Sequence, residues 1–146
     1  MEHRLALLVS LALENVVLVA TAVRGICLEY LDADRASMVE LALVEACTNA
    51  VRHGRDAGRG KTFRLEVQVT EDWIEFVLVE PGDAYDFNGR EMPAVDADAL
   101  ESLPEGGFGI PLIKTVMDVA EYRRIGDTNV LRLAKRRGAA RAPQPR

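Results

Sequence analysis

The sequence predicts a two-layer α/β sandwich, with one mixed sheet and its helices on a single face. Three observations lead there. Two helix-period segments follow one another near the start, joined by a short acidic connection. Two period-two segments then follow as a hairpin. A last helical stretch precedes two more strand-like runs, so the order reads β-α-α-β-β-loop-α-β-β.

Each element has its own reason. Arg4 to Val9 is an apolar strand, and Ser10 is a candidate break or helix cap. From Ala12 to Tyr30, Leu13, Val16, Val17, Ala20, Val23 and Cys27 recur at helical spacing. Asp34 is placed to cap the next helix, which runs from about Arg35 to His53 and stops at Gly54. Two helices with so short a join are expected to lie antiparallel. Beyond a glycine-rich turn, Phe63, Leu65, Val67 and Val69 alternate with polar residues as a half-buried strand. Glu71-Asp72 turns the chain into a second strand, Trp73 to Val79. Pro81 to Gly107 reads as a long irregular segment of the kind that is a lid, a binding loop or disordered. Phe108-Gly-Ile-Pro111 opens a helix, and Val119 to Ile125 and Asn129 to Ala134 are the last strands.

With 146 residues the chain is expected to form one domain over 1–136, with 137–146 as a frayed tail. The net charge of −5, without a basic stripe, argues against nucleic-acid binding. The apolar run from Leu5 to Val23 is interrupted by Ser10, Glu14 and Asn15, so no membrane span is expected. The start does not read as a signal peptide. Cys27 and Cys47 have no CxxC spacing and read as reduced core residues, which fits a cytoplasmic protein.

Three constellations carry chemistry. Glu45, Asn49 and His53 sit four residues apart on the second helix, a polar stripe on an otherwise apolar element. A carboxylate there can polarise a hydroxyl or water, and a carboxamide oxygen can hold a hard cation such as Mg²⁺. Taken alone, such a stripe is better explained by a solvent-facing edge. Glu80-Pro-Gly82 follows a strand, where an acid can accept from an exocyclic amine and a glycine lets a flat ring approach the backbone. Alone it is a strand-ending turn. Gly106-Gly-Phe-Gly109 runs into a helix start, whose free N–H groups and dipole suit phosphate.

Together, in this order and on these elements, the three resemble the GHKL (Bergerat-fold, HATPase_c) ATPases. The detail of Glu45 to Gly54, Gly106 to Tyr122 and Asn129 to Lys135 is most similar to the anti-sigma-factor serine/threonine kinases of the RsbW/SpoIIAB type. The resemblance implies ATP and Mg²⁺ as ligands. It implies that Glu45 is the catalytic base acting on a protein hydroxyl and that Asn49 is the metal and phosphate ligand. His53 falls at the phosphate edge, with a structural role as an equal alternative, and is not catalytic. Glu80 and Gly82 fall at the adenine, and Gly106, Gly107, Phe108, Gly109 and Ile110 line the phosphates. It further implies a STAS-domain anti-anti-sigma protein as phosphoacceptor, a sigma factor as a further partner, and a homodimer whose candidate edge is Leu5 to Val9. The alternative function is a non-catalytic, nucleotide-dependent anti-sigma or adaptor module. A phosphatase-activating kinase of the stressosome type is a third possibility, which the stretch from Ile113 to Tyr122 disfavours.

Two positions depart from the family pattern. Glu80 stands where the family usually carries Asp, which displaces the carboxylate by about 1.5 Å if extended. That implies a shifted pocket, a folded-back carboxylate or weakened binding. Many relatives carry Thr near the adenine on the last strand, and Thr128-Asn129-Val130 leaves its equivalent open.

Overall fold

The computed structural model describes residues 2–54, 61–89 and 109–138. In chain order these form β1 (His3–Ser10), α1 (Leu13–Leu28), α2 (Ala33–Gly54), β2 (Thr62–Val69), β3 (Trp73–Pro81), α3 (Gly109–Val116), β4 (Val119–Ile125) and β5 (Thr128–Arg136). The five strands make one sheet in the order β1-β2-β3-β5-β4.

The expected element order and the helix-backed sheet are present, but the sheet is not mixed. All four strand pairings are antiparallel. The reason lies in the crossover. The chain returning through α3 sets β4 running the same way as β3, but β5 inserts between them and runs against both.

The alternation in β2 and β3 sends Phe63, Leu65, Val67, Val69, Ile74, Phe76 and Leu78 into the core. They meet Val16, Val23 and Cys27 of α1 and Val39, Leu43 and Val51 of α2. Burying an aliphatic or aromatic side chain contributes roughly 1.5–3 kcal/mol, so this layer carries most of the fold's stability. The opposite face of the sheet is charged. Arg132 on β5 bridges Glu75 on β3 at 3.0 Å and Glu121 on β4 at 3.1 Å.

Both helix starts differ from expectation. Asp32, not Asp34, caps α2: its Oδ1 accepts from the Arg35 N–H at 2.8 Å, three residues on, where an N-cap side chain reaches. Ser10 does not cap α1, whose N-cap Ala12 makes no side-chain bond. Asn15 instead donates to the Ser10 carbonyl at 3.0 Å and fixes the turn from β1.

Arg137, the first residue of the expected tail, is held in the fold. Its guanidinium lies 4.7 Å over the Tyr30 ring and donates to the Thr70 carbonyl at 2.7 Å. Residues 139–146 lie outside the described residues. Cys27 and Cys47 are buried, and burial pushes both thiols up to about 12, with Glu40 adding to the effect at Cys27. Neither is a thiolate at neutral pH. Among the described residues, no helix is long and apolar enough to cross a membrane.

Candidate nucleotide site

The site lies where the C-terminal half of α2 meets the start of α3 and the end of β3. Helix α2 buries Val39, Ala42, Leu43, Ala46, Cys47, Ala50 and Val51, which leaves Glu45, Asn49 and His53 half-buried along one flank. That flank faces α3. A Cβ placed on Gly109 would lie 2.7 Å from Glu45 Oε2 and 3.7 Å from Asn49 Nδ2. The glycine is therefore needed here for close approach, not for an unusual φ. It lets the free N–H groups at the start of α3 come up to both polar side chains, in the place where the helix dipole favours negative charge. Ile110, the next residue, is buried. Gly106, Gly107 and Phe108 lie outside the described residues.

The second part is a buried polar corner on the sheet. Strand β3 extends through Pro81, so Glu80 continues the inward series of Ile74, Phe76 and Leu78 and is only 2 % exposed. Register pairs it with Asn129 on β5, also buried. Asn129 donates from Nδ2 to Glu80 Oε1 at 2.6 Å and to the Asp83 carbonyl at 2.9 Å. Its Oδ1 accepts from the Tyr122 hydroxyl at 2.5 Å and from Arg124 Nη1 at 2.9 Å. Arg124 also donates to the Gly82 carbonyl. Within Thr128-Asn129-Val130, Asn129 is thus the residue that bonds Glu80.

Glu80 Oε2, by contrast, is buried and finds no partner among the described residues. Burial pushes the carboxyl above its ordinary value. The Asn129 bond and the Arg124 charge pull the other way, and Asp83 adds to the rise. An acceptor left open in a buried site is costly unless a ligand supplies the donor. Gly82 is constrained by the same corner. A Cβ there would meet Glu80 Oε2 at 2.6 Å and the His53 carbonyl at 2.9 Å. The missing side chain lets the end of α2 close over the carboxylate.

An aromatic wall completes the corner. The His53 ring stacks on Tyr85 with centroids 4.9 Å apart and planes 13° apart. Tyr85 packs on Tyr122 at 4.6 Å, and Phe87, fully buried, lies 6.2 Å from Tyr122. Burial pushes the Tyr85 phenol up, with Glu80 and Tyr122 adding to the rise.

The residues present fit a nucleotide with Mg²⁺. The open Glu80 oxygen suits an exocyclic amine, and the glycine cradle at α3 suits phosphate. Asn49 carries a carboxamide oxygen, a ligand type that Mg²⁺ accepts. Among the described residues no group of three acidic, His or Cys side chains could hold a metal by itself, but Mg²⁺ commonly takes one or two protein ligands and completes its shell with phosphate and water.

The expected residues thus fall in two clusters. Glu45, Asn49, Gly109 and Ile110 gather at α3, and Glu80, Gly82 and His53 gather at the sheet corner, joined along α2. Sequence reasoning left Asn129 undecided among Thr128, Asn129 and Val130, and missed Tyr122, Arg124 and Tyr85. Asn129 carried a usable signal, since it lies in frame with the inward Leu131 and Leu133 and so puts an amide into an apolar face.

The buried carboxylate yields a stability prediction. Because its folded-state pKa is raised, Glu80 favours folding most below the ordinary carboxylate range, and this contribution is lost as pH rises through the raised value. Glu80→Gln keeps an acceptor for Asn129 and removes the buried charge. Its Tm is expected to exceed the parent's at pH 8, with the gap narrowing toward pH 5. A variant that melts no higher than the parent at pH 8 contradicts this assignment.

Comparison with known proteins agrees with this geometry. A family model described as "Histidine kinase-like ATPase domain" matches residues 9–135. The chain is 32 % identical over 88 residues to the "Serine-protein kinase RsbW" of Bacillus subtilis, covering 58 % of this chain and 55 % of that protein. It is 35 % identical over 88 residues to the protein of the same name from Halalkalibacterium halodurans, covering 58 % and 53 %. The matched stretch thus spans about half the length of these curated relatives. A chain from the crystal structure of the SiaB–SiaC complex of Pseudomonas aeruginosa superposes with a TM-score of 0.61 at 14 % identity, covering 89 % of this chain and 88 % of that one, which is a likeness of fold. With a match across nearly the whole length, the chain belongs to the histidine kinase-like, GHKL (Bergerat-fold) ATPase family.

Proposed function

We propose that the chain is an ATP-dependent serine/threonine protein kinase and anti-sigma factor of a bacterial partner-switching module. Its phosphoacceptor is a STAS-domain anti-anti-sigma protein, and a sigma factor is a further partner. The observation that carries this reading is the meeting of Glu45 and Asn49 at Gly109, a carboxylate and a carboxamide at a helix start suited to phosphate. The similarity to proteins named serine-protein kinase supports the choice of acceptor.

In this mechanism the acceptor hydroxyl enters beside Glu45. Its proton passes to the Glu45 carboxylate as its oxygen bonds to the γ-phosphorus of ATP, and the bond from that phosphorus to the β,γ-bridging oxygen breaks to release ADP. Asn49 would hold Mg²⁺, which supplies charge neutralisation on the phosphates. The N–H groups at the start of α3 orient the triphosphate, and Glu80 takes the amine of the base. Positioning and electrostatics account for most of the acceleration in phosphoryl transfer, so few side chains suffice.

The test is transfer of γ-³²P from Mg·ATP to a cognate STAS protein, with the labelled residue mapped. Label on a serine or threonine of the partner is expected. Tight ATP binding with no transfer to it would instead favour the non-catalytic adaptor.

We also propose a homodimer through β1 and α1. Strand β1 is a sheet edge, with Leu5 exposed on its helix-facing side, Leu8 (71 % exposed) on the other, and Val17 and Leu18 exposed on α1. An antiparallel edge can pair with its own copy across a two-fold axis. Sedimentation equilibrium of the full chain at micromolar concentration is expected to give twice the chain mass, and a monomer would refute the interface.

A further inference from the structure

Each hydrogen-bonding valence of Asn129 is already spent. Both Nδ2 protons go to Glu80 Oε1 and the Asp83 carbonyl, and Oδ1 takes the Tyr122 hydroxyl and Arg124. A primary amide has two donors and two acceptor sites, so Asn129 has nothing left with which to touch a ligand. Glu80 has one oxygen engaged and one open. We propose that Asn129 is a positioning residue: with Tyr122 and Arg124 it fixes the Glu80 carboxylate so that Oε2 alone meets the nucleobase, and so restricts the site to bases that present an exocyclic amine. This rests on the nucleotide-binding reading above.

The chemistry of selection follows from the proton. An ionised carboxylate only accepts, so it pairs with the N6 amine of adenine and opposes the O6 carbonyl of hypoxanthine. A protonated carboxyl both donates and accepts, and would tolerate either. Asn129 favours the ionised form by donating to it. Facing Glu80 are Arg124 and Tyr122 from β4, with Asp83 and Tyr85 from the segment after β3. His53 on α2 stacks on Tyr85 from the far side and places its carbonyl beside Gly82. Of these, Arg124 supports the carboxylate and Asp83 opposes it, while Asn129 bonds it directly and ties both β4 side chains to it.

The structure also accounts for the longer acid. The register sets Glu80 directly across from Asn129. The extra methylene brings Oε1 to the amide, and an amide reaches where a shorter hydroxyl side chain would not. Glu80 and Asn129 therefore act as a pair, and the long side chain is held instead of roaming the pocket.

The test has two arms on the full chain. In the first, the Glu80 carboxyl is titrated by ¹³C NMR without nucleotide. Asn129→Leu is expected to raise its midpoint by about one pH unit or more. Tyr122→Phe, which keeps the ring packing and removes the hydroxyl shared by Asn129 Oδ1 and the Tyr85 N–H, is expected to raise it less. In the second arm, Mg·ATP and Mg·ITP are compared by calorimetry from pH 6 to pH 8. The parent is expected to prefer ATP by about 100-fold at pH 8, as for a hydrogen bond to a charged group, with the preference weakening as the carboxyl is protonated. Asn129→Leu is expected to lose most of that preference, and what remains should depend on pH. Tyr122→Phe is expected to lose a few-fold, which keeps the idea testable if the leucine variant does not fold. An unmoved Glu80 midpoint together with an unchanged ATP-to-ITP ratio in both variants overturns the proposal. If the parent binds neither nucleotide, the nucleotide-binding reading falls and base selection falls with it, while the first arm still judges the positioning of Glu80 alone.

Discussion

Glu45→Ala is expected to lower phosphoryl transfer to the partner protein about 10³-fold, within the range general-base removal costs, while Mg·ATP affinity changes by less than about threefold. The reason is placement. Glu45 is half-buried on α2 with its carboxylate against Gly109, at the α3 end of the site and away from the Glu80 corner. Its loss removes the proton acceptor without touching the base-binding groups or Asn49. Glu45→Gln keeps the shape and should be nearly as slow, since an amide does not accept the proton. Single-turnover transfer and calorimetry on the same preparations separate the two effects. Equal losses of binding and transfer would make Glu45 a ligand for the nucleotide instead of the base.

Gly109→Ala should separate stability from activity. The new methyl group would sit 2.7 Å from Glu45 Oε2. That atom is the far end of a flexible side chain, so the carboxylate swings away and the fold survives. Alanine is also the better helix former, by roughly 1 kcal/mol over glycine in a helix interior. The Tm is therefore expected to hold or rise slightly while transfer falls roughly 30-fold, because the base is displaced and a near-attack geometry tolerates little misplacement. A variant with parental transfer rates would show that Glu45 does not work from the position it occupies. A variant that loses stability in proportion to activity would show that the contact is a packing constraint.

Much of this architecture could be read from the residues in order. Strand β2 was legible because one of its faces is buried, which forces a period of two on Phe63, Leu65, Val67 and Val69. The Glu45/Asn49 face was legible because helical geometry stacks residues four apart, whatever the tertiary fold. The direction and neighbours of β5 were not legible. Nothing local says that it inserts between β3 and β4, so a mixed sheet was expected where every pairing is antiparallel.

The Glu80 corner was half legible for the same reason. The acid and the glycine stand two residues apart, but the amide that binds the acid lies 49 residues away and reaches it only through strand register. Expectation at this position was therefore of a shifted pocket, a folded-back carboxylate or weakened binding, and the structure supplies the amide that bonds the acid. The turn residues erred on a smaller scale. Asp32 and Asp34 are both capping types two residues apart, and only backbone geometry chooses Asp32.

The most direct test of the whole account is a calorimetric titration of the full chain with ATP, with and without Mg²⁺. The roles proposed for Glu80, Asn49 and the helix start at Gly109 together predict a saturable one-to-one isotherm with Mg·ATP, at least about tenfold weaker when EDTA removes the metal. No saturable heat with Mg·ATP, or an isotherm indifferent to the metal, would contradict it.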